Sequence, residues 1–263
     1  MHPQSRIGKL PKVMRLPAVL LRNFRDIVIE RVIMRHLYGF TYHSDGMATT
    51  HYSPFVDDPE FERAFAQMSR WWYQDRVIDV RWRMWILTQS AKQCGALPGN
   101  FAEFGVYRGG CAYMILSLTE LADEQSYFLF DTFEGIPESN LTEAEKSAGF
   151  AGRLADTTVQ HVADVLSRWK SHLAFVEGDV FKTLDGLETG PLAFCHLDLN
   201  ASAPTVRAIE YVYPRLLPSA MVVLDDYTQF AYSEQRKAID AFLQDKPERV
   251  LALPTGQGLL VKM

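Results

Sequence analysis

The ten residues from Phe101 to Gly110, FAEFGVYRGG, constrain the fold more than any other stretch of this chain. An apolar run reaches an acid, Glu103; Gly105 follows, then the pair Gly109 and Gly110. Behind them CAYMILSLTELAD has helical spacing. A strand, a tight glycine turn and a helix, in that order, open a nucleotide-binding α/β sheet. The spacing is G-x-x-x-G-G, and Tyr107 stands where a dinucleotide site needs its second glycine, so a pyrophosphate on the helix N-terminus is not expected. An acid just before the turn suits a cationic ligand end, such as the amino group of a methionine moiety. S-adenosylmethionine has that group and lacks phosphates. An ordinary turn with a solvated Glu103 accounts for the same residues.

Upstream, residues 1–14 read as an arm. The spacing from about Arg15 to Tyr38 predicts a basic amphipathic helix, suited to packing on the body or on a second subunit, or to lying on an anionic membrane surface. Residues 39–58 are rich in turn formers and aromatics and read as a lid, with His43, Asp45 and His51 as candidate contacts. Residues 59–94 read as one or two helices opening at Pro59, with Trp71, Trp72, Trp82 and Trp85 as core.

Downstream, strands are predicted at 126–131, 173–177, 192–199, 221–224, 250–253 and 258–261, and helices at 159–170, 205–216 and 233–243. Residues 138–160 are small and polar and read as a mobile segment over the site. The expected fold is α/β: a Rossmann-like, doubly wound, mainly parallel sheet with an antiparallel C-terminal edge hairpin and an N-terminal helical extension. Residues 1–95 form the extension and lid, and residues 96–263 the ligand-binding domain.

Charge narrows the partners. The net charge is −5, yet residues 1–40 carry eight Lys or Arg against Asp26 and Glu30, so residues 41–263 are strongly acidic. A nucleic-acid partner is not expected. Cys94, Cys111 and Cys195 have no metal-ligand spacing, and a reducing, cytoplasmic setting suits them. No apolar run approaches a membrane span, and no signal peptide is recognisable.

The strand tips carry the chemistry. Glu103, Asp131, Asp179, Asp198 and the pair Asp225-Asp226 all fall at predicted carboxyl ends, where ligands bind in such sheets. Asp131 is placed for ribose hydroxyls. Asp179 and Val180 are placed for the amino group and face of adenine, or Asp179 simply caps the next helix. Asp198, Asp225 and Asp226 come from neighbouring tips and repel unless a proton or cation neutralises them. A hard divalent cation such as Mg²⁺ answers that need, as does one capping Asp with the others facing water.

FAEFGVYRGG, FDTFEGIPE, VEGDVFKTL, HLDLNASAPTVRAIEYVYPRLLP and VVLDDY, in this order, resemble the macrocin O-methyltransferase family of class I S-adenosylmethionine-dependent methyltransferases. The resemblance covers about residues 40–263. It implies methyl transfer to a hydroxyl, typically of a sugar on a natural product, and Mg²⁺ held by Asp198, Asp225 and Asp226. Cofactor contacts then fall on Glu103, Gly105, Tyr107 and Gly109 of the turn, on Asp131, Thr132 and Phe133, and on Asp179 and Val180. The family often reads L-D-x-D-x-Y-E-x-T; here Asn200, Ser202 and Ala203 replace the second Asp, the Tyr and the Glu. Asn200 can still coordinate through its carbonyl.

An alcohol must lose its proton to attack a sulfonium methyl, so a base is required. Asp198, His196 and His161 are the candidates. The expected protein is a homodimer acting on a small hydroxylated acceptor such as a glycoside. The altered Asn200–Ala203 stretch also allows a nonenzymatic S-adenosylmethionine-binding or assembly module.

Overall fold

The computed structural model describes residues 37–72 and 78–263. The predicted basic helix lies almost wholly outside them. The chain divides into a smaller unit, residues 1–54 and 73–80, and a larger one, residues 55–72 and 81–263.

In the smaller unit, β1 (Tyr42–Ser44) pairs antiparallel with β2 (Met47–Thr49). Asp45 and Gly46 turn the hairpin, both at positive φ, as a two-residue turn of this handedness requires. The Tyr42 hydroxyl donates to the Asp79 carbonyl, and the Asp79 N–H donates to Ser44 Oγ at 3.1 Å. His43 stacks on Phe40, and the His51 N–H donates to Thr49 Oγ1.

In the larger unit the elements are α1 (Pro59–Met68), α2 (Arg81–Cys94), β3 (Asn100–Phe104), α3 (Gly110–Leu118), β4 (Tyr127–Asp131), α4 (Glu143–Ser147), α5 (Val159–Val165), β5 (Leu173–Glu177), α6 (Val180–Thr183), β6 (Leu192–Leu197), α7 (Ser202–Val212), β7 (Leu216–Leu224), α8 (Ser233–Leu243), β8 (Leu251–Ala252) and β9 (Gly258–Val261). Helices α1 and α2, grouped with the extension by sequence, belong to this unit. Asp58 caps α1 through the Glu60 and Phe61 N–H groups, with Pro59 at the first helical position.

The seven strands run in the order β5-β4-β3-β6-β7-β9-β8. The first five are parallel; β9 inserts antiparallel between β7 and β8. Strand order reverses between β3 and β6, the switch point where such sheets open a ligand crevice. Every residue of β6 is buried, as a central parallel strand covered on both faces must be.

Three predicted boundaries move. Pro218-Ser219-Ala220, expected as a turn, lies inside β7. Ser219 takes φ +70° there, and the pairing of β6 with β7 shifts register between Leu192 and Phe194, so an irregularity absorbs what looked like a loop. Helix α7 starts at Ser202 and ends at Val212, because Pro214 tightens the chain into the single turn Tyr213–Arg215. Helix α5 is shorter than expected and passes into the tight turn Ser167–Trp169.

Of the tryptophans expected as core, Trp72 is buried and Trp71, Trp82 and Trp85 are half-buried. Trp85 packs edge-on against Phe55 and Phe61, and Trp82 against Phe55. Trp72 lies flat on Gly110, where an added Cβ would sit 2.5 Å from the indole. The second glycine of the pair therefore admits an aromatic ring rather than a ligand.

Candidate active site

The tips of β3, β4, β5 and β6 border a cleft enclosing about 520 Å³. Gly105, Asp131, Thr132, Asp179, Val180 and Asp198 line it, so six of the sequence-predicted residues meet there. Ile136, Pro137, Leu199 and Pro204 add apolar walls, and Asn140 and Arg153 add polar ones. Pro204 lies in the first turn of α7 and the others in connecting segments, where no periodic signal marks a site residue.

Protein groups already engage several of the acids. Asp131 Oδ2 accepts the Val106 and Tyr107 N–H groups at 2.8 and 2.7 Å, and Oδ1 accepts the Phe133 N–H at 2.8 Å. Asp131 thus braces the glycine turn and its own loop while lining the cleft. Those bonds hold Tyr107 and Phe133 in left-handed conformations, φ +51° and +54°. Thr132 Oγ1 donates to the Gly135 carbonyl at 2.8 Å, closing the same loop. Asp179 Oδ1 caps α6 through the Phe181 N–H, and its Oδ2 accepts from Asn140 Nδ2 at 2.9 Å. Gly109 is the left-handed residue preceding α3 and packs near Val162; it does not line the cleft.

Glu103 is corrected outright. It is fully buried, and Tyr127 Oη donates to its Oε2 at 2.6 Å. On the neighbouring strand, Nδ1 of the equally buried His196 is 3.8 Å from the same oxygen. His196 Nε2 lies 3.7 Å from Asp225 Oδ1. Burial alone would depress the imidazole pKa, but Asp225 and Glu103 outweigh it and lift it to about 10. His196 is therefore an internal imidazolium between two carboxylates. It is fully buried and is not among the residues lining the cleft.

Asp225 anchors the other end of this row. Arg83 Nη1, from the first turn of α2, donates to Asp225 Oδ2 at 2.7 Å, and Gln257 Nε2 donates to Oδ1 at 3.0 Å. Burial would raise the Asp225 carboxyl; Arg83 and His196 reverse that and hold it well below the usual carboxylate range. Arg83 and Gln257 were missed by sequence, being remote from the strand tips along the chain. His161 is exposed on α5 and is not among the residues lining the cleft.

Asp198 and Asp226 behave oppositely to Asp225. Burial, then the Asp225 charge, push the Asp198 carboxyl up to about 7. Burial and the charges of Asp198 and Asp225 push Asp226 well above its normal range. Asp226 is 4 % exposed and its Oδ2 has no hydrogen-bond partner among the described residues. One ligand atom each from His196, Asp198 and Asp225 fall within 4.8 Å of one another, as do atoms of Glu103, Cys111 and His196. The second group lies in the core, where burial and the Glu103 charge keep the Cys111 thiol protonated.

The segment after β4, expected to be mobile, is tied down. Thr142 and Glu145 form a reciprocal cap on α4, with Glu145 Oε2 accepting the Thr142 N–H at 2.9 Å. Glu145 Oε1 accepts both the N–H and Oγ of Ser202, at 2.8 and 2.6 Å, placing a buried carboxylate on the N-terminus of α7. Backbone bonds between Ile136 and Arg153 and between Gly152 and Ile136 close the segment.

A reversed strand order, a glycine turn and acids gathered at the parallel strand tips define a Rossmann-like protein of the methyltransferase type. A family model described as Macrocin-O-methyltransferase (TylF) matches residues 79–249, and the chain belongs to that family. A tetracenomycin relative from Streptomyces olivaceus, 8-demethyl-8-(2,3-dimethoxy-alpha-L-rhamnosyl)-tetracenomycin-C 4'-O-methyltransferase, is 29% identical over 140 residues, 50% of this chain and 54% of that protein. Mycinamicin III 3''-O-methyltransferase from Micromonospora griseorubida is 25% identical over 144 residues, 50% of this chain and 56% of that protein. The matched stretch spans about half the length of each of these relatives. The O-methyltransferase NovP shares the fold with a TM-score of 0.62 at 18% identity, over 69% of this chain and 79% of its own. The calicheamicin methyltransferase CalS11 does so at 0.58 and 20%, over 80% and 94%.

Proposed function

We propose that this chain is an S-adenosylmethionine-dependent O-methyltransferase that methylates a hydroxyl of a glycosylated small molecule. The observation that carries the reading is the cleft at the switch point, running from Asp179 to Asp198 with the carboxylate cluster at the Asp198 end. Family membership supports the reaction type, and the activities that both relatives are named for, on rhamnosyl-tetracenomycin and mycinamicin, support a sugar-bearing acceptor.

Methyl transfer is an in-line displacement, so alignment of oxygen, methyl and sulfur carries most of the rate. Asp131 and Val180 would hold the adenosine of the cofactor, and Asp198 would face its sulfonium end. Asp198 is the base that remains once His196 is assigned to the core. A carboxylate with a pKa lifted to about 7 accepts a proton efficiently near neutral pH.

Mg²⁺ belongs to this reading. Arg83 and His196 face Asp225 and Glu103, and the raised carboxyls of Asp198 and Asp226 are the groups that a proton or a cation would neutralise. The unpartnered buried Oδ2 of Asp226 and the all-oxygen carboxylate set fit a hard divalent cation. Asp198 and Asp226 would hold it, with Asp225 turned toward Arg83. When bound, the cation would lower the pKa of an acceptor hydroxyl.

A nonenzymatic binding module is the second reading, motivated by Asn200–Ala203. The bond from Ser202 to Glu145 gives one of those replacements an architectural task instead. A cytoplasmic homodimer without a nucleic-acid partner completes the proposal. The acidic balance of residues 41–263 supports the absence of a nucleic-acid partner, and the free, buried Cys94, Cys111 and Cys195 support the reducing setting. Among the described residues no helix is long and apolar enough to cross a membrane.

Calorimetric titration with S-adenosylhomocysteine, with NAD as control and with Mg²⁺ or chelator, tests the reading. Binding of S-adenosylhomocysteine alone is expected; its absence refutes the proposal.

A further inference from the structure

Two residues beyond Asp198, the chain enters a left-handed conformation at Asn200, φ +56°. Asparagine tolerates that region better than most residues. Its side chain, however, does more than suit the turn. Asn200 Nδ2 donates to Asp198 Oδ1 at 2.6 Å and lies 3.2 Å from the Asp198 carbonyl oxygen. Asn200 Oδ1 accepts the Tyr232 hydroxyl at 2.8 Å. The amide thus has both ends engaged, and a carboxylate partner dictates which end faces it, because Asp198 can only accept.

Tyr232 is itself held. Its ring packs at a tilt of 43° against Phe150 with centroids 5.2 Å apart, and its N–H donates to the Gln229 carbonyl at 3.0 Å. The Gln229 N–H in turn donates to the Asp226 carbonyl at 3.2 Å. A continuous chain therefore runs from the turn after the Asp225-Asp226 pair, through Tyr232 and Asn200, to Asp198.

We infer that Asn200 is a positioning residue for Asp198: its amide, clamped by Tyr232, occupies Oδ1 and leaves Oδ2 as the oxygen Asp198 presents to the cleft. The clamp also occupies one lone pair of the Asn200 carbonyl, so its coordination of a cation would compete with Tyr232. A carboxylate at position 200 would repel Asp198 at this distance and would need a cation between them. With asparagine, the pair holds without one. The inference deepens the methyltransferase reading, on which the identity of the cleft's ligand rests.

The test compares the wild-type chain, Asn200→Asp and Tyr232→Phe, by Mg²⁺ calorimetry and by melting in Mg²⁺ and in chelator. Asn200→Asp is expected to bind Mg²⁺ at least tenfold tighter than wild type, since affinity in such sites follows ligand charge. It should also lose several degrees of melting temperature in chelator and recover them in Mg²⁺. Tyr232→Phe leaves the turn intact and frees the amide to rotate, so Mg²⁺ binding should tighten several-fold. Mg²⁺ affinity of Asn200→Asp within twofold of wild type, or an equal melting loss with and without Mg²⁺, would show that Asn200 serves only the turn. Unchanged affinity in Tyr232→Phe would remove the clamp. Titration of wild type with S-adenosylhomocysteine is read separately: failure there refutes the methyltransferase reading and leaves the Mg²⁺ comparison standing.

Discussion

Gly105 crosses Asp198 more closely than any side chain permits: a Cβ on Gly105 would lie 2.0 Å from the Asp198 carbonyl oxygen and 2.7 Å from its carbon. The glycine also sits at φ +89°, where L-residues are strained. Its conformation is fixed from both sides, by its N–H donating to the Phe130 carbonyl at 2.8 Å and by the Asp198 N–H donating to the Phe104 carbonyl at 2.8 Å.

Gly105→Ala should therefore cost about 3 kcal/mol or more, since the obstacle is backbone and cannot swing away. The measurement is urea unfolding beside S-adenosylhomocysteine titration. Loss of both stability and binding is expected. Full stability would mean that β3 and β6 part more easily than their pairing indicates.

His196→Asn separates a core role from a catalytic one. Removing His196 from the buried ion row leaves Glu103 without a cationic neighbour on this row, while Asp225 keeps Arg83, and breaking such a buried pair costs about 3–5 kcal/mol. A large fall in unfolding free energy is expected. A variant that stays within about 1 kcal/mol of wild type but loses turnover would restore His196 as a base.

The difference between what could and could not be read from the sequence follows from geometry. The glycine turn, the helix opening at Pro59 and the alternating strands and helices are local patterns, and each was legible. The direction in which Glu103 points was not. A central parallel strand is buried on both faces, so its sequence offers no polar-apolar contrast to tell one face from the other. Alternation of side chains then sends Glu103 toward His196, its register partner on β6. Arg83 was invisible for another reason: its partner Asp225 is 142 residues away. Asn200 was noticed as a departure, but its left-handed backbone and its bond to Tyr232 are tertiary facts.

Acid stability should trace to Glu248. Its Oε1 accepts Lys262 Nζ at 2.5 Å and the Met263 N–H at 3.1 Å, and its Oε2 accepts the Tyr213 hydroxyl at 2.5 Å. Burial would raise this carboxyl; Lys262 and Tyr213 outweigh it and bring it down to about 2. A carboxyl depressed on folding binds fewer protons than in the unfolded chain, where its pKa is about 4.3. Its contribution is complete above that value and fades as pH falls toward 2. Glu248→Gln should thus be less stable than wild type at pH 6, with the gap narrowing between pH 5 and 3. Urea midpoints across that range check it; a constant gap would place the acid sensitivity elsewhere.

Adjacent in sequence, Asp225 and Asp226 should respond oppositely to the same substitution. Asp225 is ion-paired to Arg83 and hydrogen-bonded to Gln257, so Asp225→Asn removes the charge of a buried ion pair and should lower the melting temperature. Asp226 has an unpartnered Oδ2 and is pushed toward protonation by burial and by the Asp198 and Asp225 charges. Asp226→Asn removes a repulsive charge and should raise the melting temperature in chelator. It should also erase any stabilisation by Mg²⁺, because the cation loses a ligand that nothing else engages. Methyl transfer should then fall in Asp226→Asn while S-adenosylhomocysteine binding persists. If Asp226→Asn keeps its Mg²⁺ response and Asp225→Asn loses it without loss of stability, the cation is held by Asp225, and the Arg83 pair must open to admit it.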